Sequence, residues 1–215
     1  MILWFATGNA HKRAELAGIL KGHEIRIPAD AGIAGFDPEE TGRSFLENSL
    51  LKARALYRRL ARRGIRGPVI ADDSGLCVDA LGGRPGIYSA RYAGPLQIGS
   101  VSLGDGERNA LLLGELGKRM DRSARFVCAM VLFWDEYRFY GVQETLEGEL
   151  VAPGEEGRGK GGFGYDPILS IPELGRTVAE LSEEEKNRVS HRGKAARALA
   201  ALLAGDGAAG DPCQS

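Results

Sequence analysis

The sequence is short of several things, and each shortage excludes a class of protein. It holds only three cysteines, Cys77, Cys128 and Cys213, set far apart and with no CxxC pair. An odd, scattered set is neither a disulfide framework nor a structural zinc site, and it fits a reducing, cytoplasmic compartment. No stretch approaches the roughly 18 apolar residues of a membrane span, and the apolar start Ile2–Ala6 lacks the basic flank of a secretion signal. Neither sign of charge is in excess: 28 Lys+Arg stand against 29 Asp+Glu, a net charge of -1. There is then no global field to draw DNA, RNA or an anionic membrane, so an anionic ligand must be caught by a local cluster of positive groups.

What is abundant is glycine, 31 of 215 residues, about twice the usual share. It follows no three-residue period, so a collagen-like chain is excluded. Hydrophobic residues make up 43%, too many for a disordered chain. A chain of this length buries one sizeable core, or two small lobes around a cleft.

Hydrophobic periodicity and turn chemistry predict the elements. Ile2–Ala6 is a short buried strand, Thr7-Gly8-Asn9 a turn, and Asn9 the N-cap of a helix from about Ala10 to Leu20. Glu24–Pro28 is a second strand, followed by an acidic loop from Ala29 to Gly42. Ser44 and Glu47 form a capping box, in which each side chain accepts from the other's backbone N–H. The helix they open runs from Phe45 to about Arg63, with Phe45, Leu46, Ser49, Ala53, Leu56 and Leu60 on one face. Pro68–Ala71 is a strand that ends at Asp72-Asp73-Ser74-Gly75. Glu107–Met120 is helical, and Arg125–Trp134 with Tyr137–Glu144 is a hairpin turning at Asp135-Glu136. Ser182 and Glu185 form a second capping box, and a last helix runs from His191 to about Leu203. Strands alternating with helices around a central hairpin predict an α/β fold with a mixed sheet. The globular part is expected over 1–204, with a flexible tail over 205–215.

Four segments carry candidate chemistry. Thr7-Gly8-Asn9-Ala10-His11-Lys12 joins a strand to a helix start, where unpaired N–H groups favour anions and Lys12 adds a full charge. It is not a Walker A loop; the choice lies between a phosphate site and a plain capped helix with a solvent lysine. Asp72 and Asp73 follow an apolar strand, and adjacent carboxylates repel, so at least one needs a cation or a proton. Hard oxygen ligands suit Mg²⁺, with Glu39, Glu40 or Glu47 to complete the site and Lys52 in reach of a phosphate; the alternative is an Asp-Ser-Gly turn in water. Residues 159–164 spell GxGxxG, but Pro167 follows and no helix opens, so a dinucleotide fingerprint is rejected. That leaves a loop presenting Phe163 and Tyr165 beside Asp166, to stack on a flat base or to serve as core aromatics. Ser190-His191-Arg192-Gly193 places donors at another helix start, with Lys186 shortly before.

Together the stretches TGNAHK (7–12), EETG (39–42), FLENSLLKA (45–53), ADDSGLCVDALGGRPGIYSARYAG (71–94), GGFGYDPI (161–168), AELSEEEK (179–186) and SHRGK (190–194) resemble one family, in its order and over almost the whole chain. It is the inosine/xanthosine triphosphate pyrophosphatases, also called Ham1-like. The resemblance implies a two-lobed α/β domain with a long mixed β-sheet and a central substrate cleft, forming a homodimer. It implies Mg²⁺-dependent hydrolysis of ITP, dITP and XTP to the monophosphate and pyrophosphate. Carried over, Thr7, Gly8, Asn9, Ala10, His11 and Lys12 would hold the triphosphate. Asp73 would bind the metal and accept the proton of the attacking water, and Ser74 would touch the substrate. Phe163, Gly164, Tyr165, Asp166, Lys186, His191 and Arg192 would hold the nucleoside. One of Glu39 and Glu40 would be the second metal ligand, and Lys52 and Arg91 further phosphate contacts. The chain departs from the family over 94–107, which is longer than usual, and in its tail.

Overall fold

A computed structural model of the chain describes residues 1–94 and 103–206, with the side chains of residues 10, 11, 205 and 206 left aside. Most of the longer segment at 94–107, the tail beyond 206, Cys213 and the side chains of Ala10 and His11 therefore lie outside the described residues. In chain order the elements are β1 (Ile2–Phe5), α1 (Ala10–Ile19), β2 (Glu24–Arg26), α2 (Phe45–Ala61), β3 (Val69–Val78), α3 (Asp105–Leu116), β4 (Ser123–Asp135), β5 (Arg138–Leu150), β6 (Leu169–Ile171), β7 (Arg176–Thr177), α4 (Glu183–Val189) and α5 (His191–Asp206), with short 3₁₀ turns between some of them. The strands form one seven-stranded sheet in the order β2-β1-β3-β4-β5-β6-β7. β1 is parallel to β2 and β3, whereas β6 is antiparallel to β5 and β7, so the sheet is mixed as expected.

Contacts divide the chain into two units, the first made of Met1–Asp73, Cys128–Glu144 and the chain from Arg192 onward, the second of Ser74–Val127 and Thr145–His191. In the first unit β1, the start of β3 and the second half of β4 are apolar on both faces, and alternate residues go to different cores. Leu3, Phe5, Ile70, Met130 and Leu132 pack with Leu16 and Leu20 of α1 and Leu199 of α5. Trp4, Val69, Ala71, Val131 and Phe133 pack with Ala53, Leu56 and Leu60 of α2. The second unit has its own core, in which Leu112 and Leu116 of α3 meet Leu76, Val78, Phe126, Leu146, Leu150, Tyr165 and Ile168.

Three local expectations change. β3 does not stop at Ala71 but runs on through Asp72-Asp73-Ser74-Gly75 to Val78; the polar residues remain extended because the ladder, not the side chains, dictates the backbone there. Leu46 is 41% exposed and does not share the buried face of α2, which is made by Phe45, Ser49, Ala53, Leu56 and Leu60. The first capping box is shifted by one residue: Glu47 N–H donates to Ser44 Oγ at 3.1 Å, but the Glu47 carboxylate accepts from Arg43 N–H at 2.6 Å. The second box forms as expected, with Glu185 N–H on Ser182 Oγ and Ser182 N–H on the Glu185 carboxylate.

Candidate active site

The site in the first unit is built on β3. Successive strand residues point to opposite faces, so Asp72 and Asp73 make their hydrogen bonds on different sides of the strand. Asp72 follows Ile70 onto the face of α1 and α5. There it accepts from Lys12 Nζ at 3.0 Å and from Arg192 Nε at 3.2 Å. Lys12 is delivered by the turn at Thr7–Asn9: Thr7 Oγ1 accepts from Asn9 N–H, and Asn9 Oδ1 accepts from Lys12 N–H at 3.2 Å, so Asn9 is the N-cap. Arg192 is only 3% exposed, and a terminal nitrogen of its guanidinium also donates to Glu15 of α1. Burial pushes the Asp72 carboxyl up, but the charges of Lys12, Arg192 and Lys52 outweigh it and hold the group far below the usual carboxylate range.

Asp73 points the other way, toward α2. Asn48 Nδ2 donates to its Oδ2 at 3.1 Å, and Lys52 Nζ lies 3.3 Å from its Oδ1. Lys52 also donates to Glu40 at 2.8 Å. The helix is strapped to the strand by Ser49 Oγ, which donates to the Ala71 carbonyl at 2.8 Å. Here burial wins: it pushes the Asp73 carboxyl above its ordinary value, Lys52 opposes it, and the nearby Glu40 charge adds to it. Burial disfavours the Lys52 ammonium, yet Asp73, Asp72 and Glu40 overcome this and raise it. Of the acidic pair, Glu40 is drawn into this group, whereas Glu39 is exposed. Among the described residues no three His, Cys, Asp or Glu side chains are grouped as a ready-made metal cage.

The second unit gathers the other candidates. Asp166 Oδ2 accepts from Lys186 Nζ at 2.8 Å and from Phe163 N–H at 2.9 Å. The Lys186 ammonium lies 4.7 Å from the centroid of the Phe163 ring, a cation–π contact. The two aromatics of the loop part company. Phe163 is half-buried, but Tyr165 is in the core, 4% exposed, with its hydroxyl donating to the Ser89 carbonyl at 2.9 Å. His191 is buried with its ring stacked on Phe126, centroids 4.9 Å apart. Ser74 is half-buried and Arg91 exposed. The loop's glycines answer first to the chain itself. A Cβ on Gly162, at φ +73, would lie 2.1 Å from Asp166 Oδ2, and one on Gly159 would lie 2.5 Å from the Ala179 backbone.

Two residues that organise the first cluster have no role evident from the sequence motifs. Asn48 holds Gly42 N–H with its Oδ1 at 2.8 Å while its amide orients Asp73. Its signal was present, since Asn48 and Lys52 stand one helical turn apart. Glu15, which pairs with Arg192, had no signal beyond lying on the same helix as Lys12.

These features define a mixed α/β protein whose buried carboxylates are ranged along one strand and matched by lysines and an arginine on both faces. The chain belongs to the Ham1 family, whose sequence model matches residues 3–202. It is 48% identical to a dITP/XTP pyrophosphatase of Treponema denticola, over 95% of this chain and all of the relative. It is also 48% identical to the protein of that name from Geobacillus kaustophilus, over 88% of each chain. A solved Ham1 protein from Staphylococcus aureus matches with a TM-score of 0.80 and 38% identity, over 96% of this chain and all of that one. Another from Coxiella burnetii gives 0.81 and 36%, over 95% and 98%. Among the described residues no helix is long and apolar enough to cross a membrane.

Proposed function

We propose that the protein hydrolyses non-standard purine nucleoside triphosphates (ITP, dITP and XTP) to the monophosphate and pyrophosphate, cleansing a cytoplasmic nucleotide pool as a homodimer. Membership of the Ham1 family and relatives named dITP/XTP pyrophosphatase support this reading. The observation that carries it is the Asp73 carboxylate, buried beside Lys52 and Asn48 and raised above its ordinary value. A base works best when its pKa approaches the operating pH.

In this reading Asp73 takes the proton of a water whose oxygen bonds to one of the two phosphorus atoms flanking the α–β bridge, while the bond from that phosphorus to the bridging oxygen breaks and the nucleoside monophosphate and pyrophosphate separate. Lys12 and the backbone from Thr7 through Asn9, with Ala10 and His11, hold the triphosphate, and Lys52 and Arg91 offset its charge. Glu40 and Asp73, two hard carboxylates either side of Lys52, fit a cation that takes one or two protein carboxylates and completes its shell with water and substrate phosphates. Bound there, Mg²⁺ would neutralise charge developing on the phosphates. Asp72, already matched by Lys12 and Arg192, serves to hold those two cations in place.

The nucleoside is assigned to Phe163, Gly164, Asp166, Lys186, His191 and Arg192, with Ser74 touching the substrate and Tyr165 supporting the loop from the core. Hypoxanthine and xanthine present a 6-oxo acceptor and adenine a 6-amino donor. A pocket of donors accepts the first and leaves buried donors unpaired against the second. The test is pyrophosphate release with Mg²⁺ from ITP, dITP, XTP, ATP, GTP and dUTP. Turnover of ITP, dITP and XTP well above ATP is expected; comparable turnover of ATP and ITP refutes the donor pocket.

A further inference from the structure

The loop that presents Phe163 has six glycines between Gly154 and Gly164. Such backbone has many conformations to choose from, so an aromatic ring on it is aimed only if the peptides beside it are held from outside. One hold is within the loop's own motif: Asp166 accepts from Phe163 N–H. The other comes from α3, outside every stretch that carried the family resemblance. Asp105 Oδ2 accepts from Gly164 N–H at 2.7 Å, and Asn109 Nδ2 donates to the Gly164 carbonyl at 3.0 Å. The two side chains, one helical turn apart, grip both polar groups of a single residue. The grip is itself braced. Arg108 Nη1 donates to Asp105 Oδ1 at 2.8 Å and its Nη2 to the Leu103 carbonyl at 2.7 Å. Asn109 is 7% exposed, and its amide orientation is fixed because only the NH₂ end can donate to a carbonyl. α3 and the loop together wall a cavity of about 830 Å³, lined by Asp105, Asn109, Leu113, Lys160, Phe163 and Gly164 among others.

We propose that Asp105 and Asn109 are positioning residues that set Phe163 for the purine base and so govern base affinity without touching the reacting atoms. The inference rests on the assignment of Phe163 to the nucleoside. It predicts a split between KM and kcat. With dITP, Asp105→Ala and Asn109→Asp raise KM about tenfold and leave kcat within about twofold, because a contact made equally in ground and transition states is lost. Asn109→Asp is close in size and replaces the donor by a carboxylate facing a carbonyl; Asp105→Asn keeps an acceptor and restores most of the affinity. Ribose 5-triphosphate, which has no base, is hydrolysed by wild type and variants alike, a result that general loosening of the fold would not give.

The experiment measures KM and kcat for both substrates, with amide exchange of the peptide containing Gly164. A rise in KM for dITP alone, with faster exchange at Gly164 in Asp105→Ala, supports the proposal. Equal losses on both substrates, or an unchanged KM for dITP, overturn it. If wild type releases no pyrophosphate from dITP, the proposed function fails on its own. The grip on the loop is then judged by exchange: unchanged protection of Gly164 in Asp105→Ala overturns it, and lost protection supports it.

Discussion

The two faces of β3 carry neighbouring aspartates that experience opposite electrostatics. On the face of α1 and α5, Asp72 meets Lys12 and Arg192 and is held ionised. On the face of α2, Asp73 has one lysine, which it shares with Glu40, and its carboxyl is raised. Both residues are buried. Burial pushes both carboxyls up; at Asp72 the cations outweigh it and at Asp73 they do not. One face resembles a closed structural network and the other a site with charge still to be matched. The contrast also removes the repulsion expected of adjacent carboxylates, since a strand sends them apart.

The sharpest way to break this contrast is to neutralise each aspartate in turn. Asp73→Asn should lower pyrophosphate release from dITP about a thousandfold and change stability by less than about 1 kcal/mol. Activity within tenfold of wild type removes Asp73 from the base role. Asp72→Asn should do the reverse to the fold, costing about 3 kcal/mol in urea unfolding, because it takes a charged partner from a buried arginine. A cost below 1 kcal/mol would mean that the Asp72 network is not structural. Glu15→Gln should cost less, about 1.5 kcal/mol, since Arg192 keeps Asp72.

Titration without metal gives a subtler contrast. The Asp72 value is depressed on folding, so its contribution is present above roughly pH 4 and lost as pH falls through its folded value. The Asp73 value is raised, so its contribution is present below roughly pH 4 and lost as pH rises through its folded value. Urea unfolding across this range should show Asp72→Asn with a flattened acid limb. Asp73→Asn should lack the decline on the alkaline side of pH 4. Slopes that move the same way in both variants would contradict the opposed environments. The smallest effect is expected at Leu46→Gln, within about 0.5 kcal/mol, because that side chain is exposed although its neighbour Phe45 is buried.

Much of this architecture is legible in the amino-acid sequence. Asn9 and Ser182 announce their helices because a cap is a contact between residues three apart. The mixed sheet follows from alternating elements and a hairpin. The GxGxxG at 159–164 is rightly set aside, since no helix opens there. The misreadings have a common cause. Asp72-Asp73-Ser74-Gly75 has the composition of a turn, but it lies inside β3, which stays extended beside β4 after the pairing with β1 has ended at Ile70. Leu46 has the spacing of the buried face of α2 yet lies at its margin. For Tyr165 the sequence leaves base stacking and a place in the core both open, and the structure seats it in the core with its hydroxyl on the Ser89 carbonyl.

The local elements, the apolar faces and the reactive residue types follow from the order of amino acids alone, because each depends on neighbours within a few positions. Pairing between distant side chains is a property of the folded chain. Asp72 takes its cations from 60 residues before and 120 residues after it. Glu40 rather than Glu39 joins Lys52, and α3 reaches 55 and 59 residues along the chain to hold Gly164. No local rule contains such distances. For Asp72 and Asp73 they are set by strand order in the sheet, which brings α1, α2 and α5 from remote parts of the chain against the same short stretch of β3.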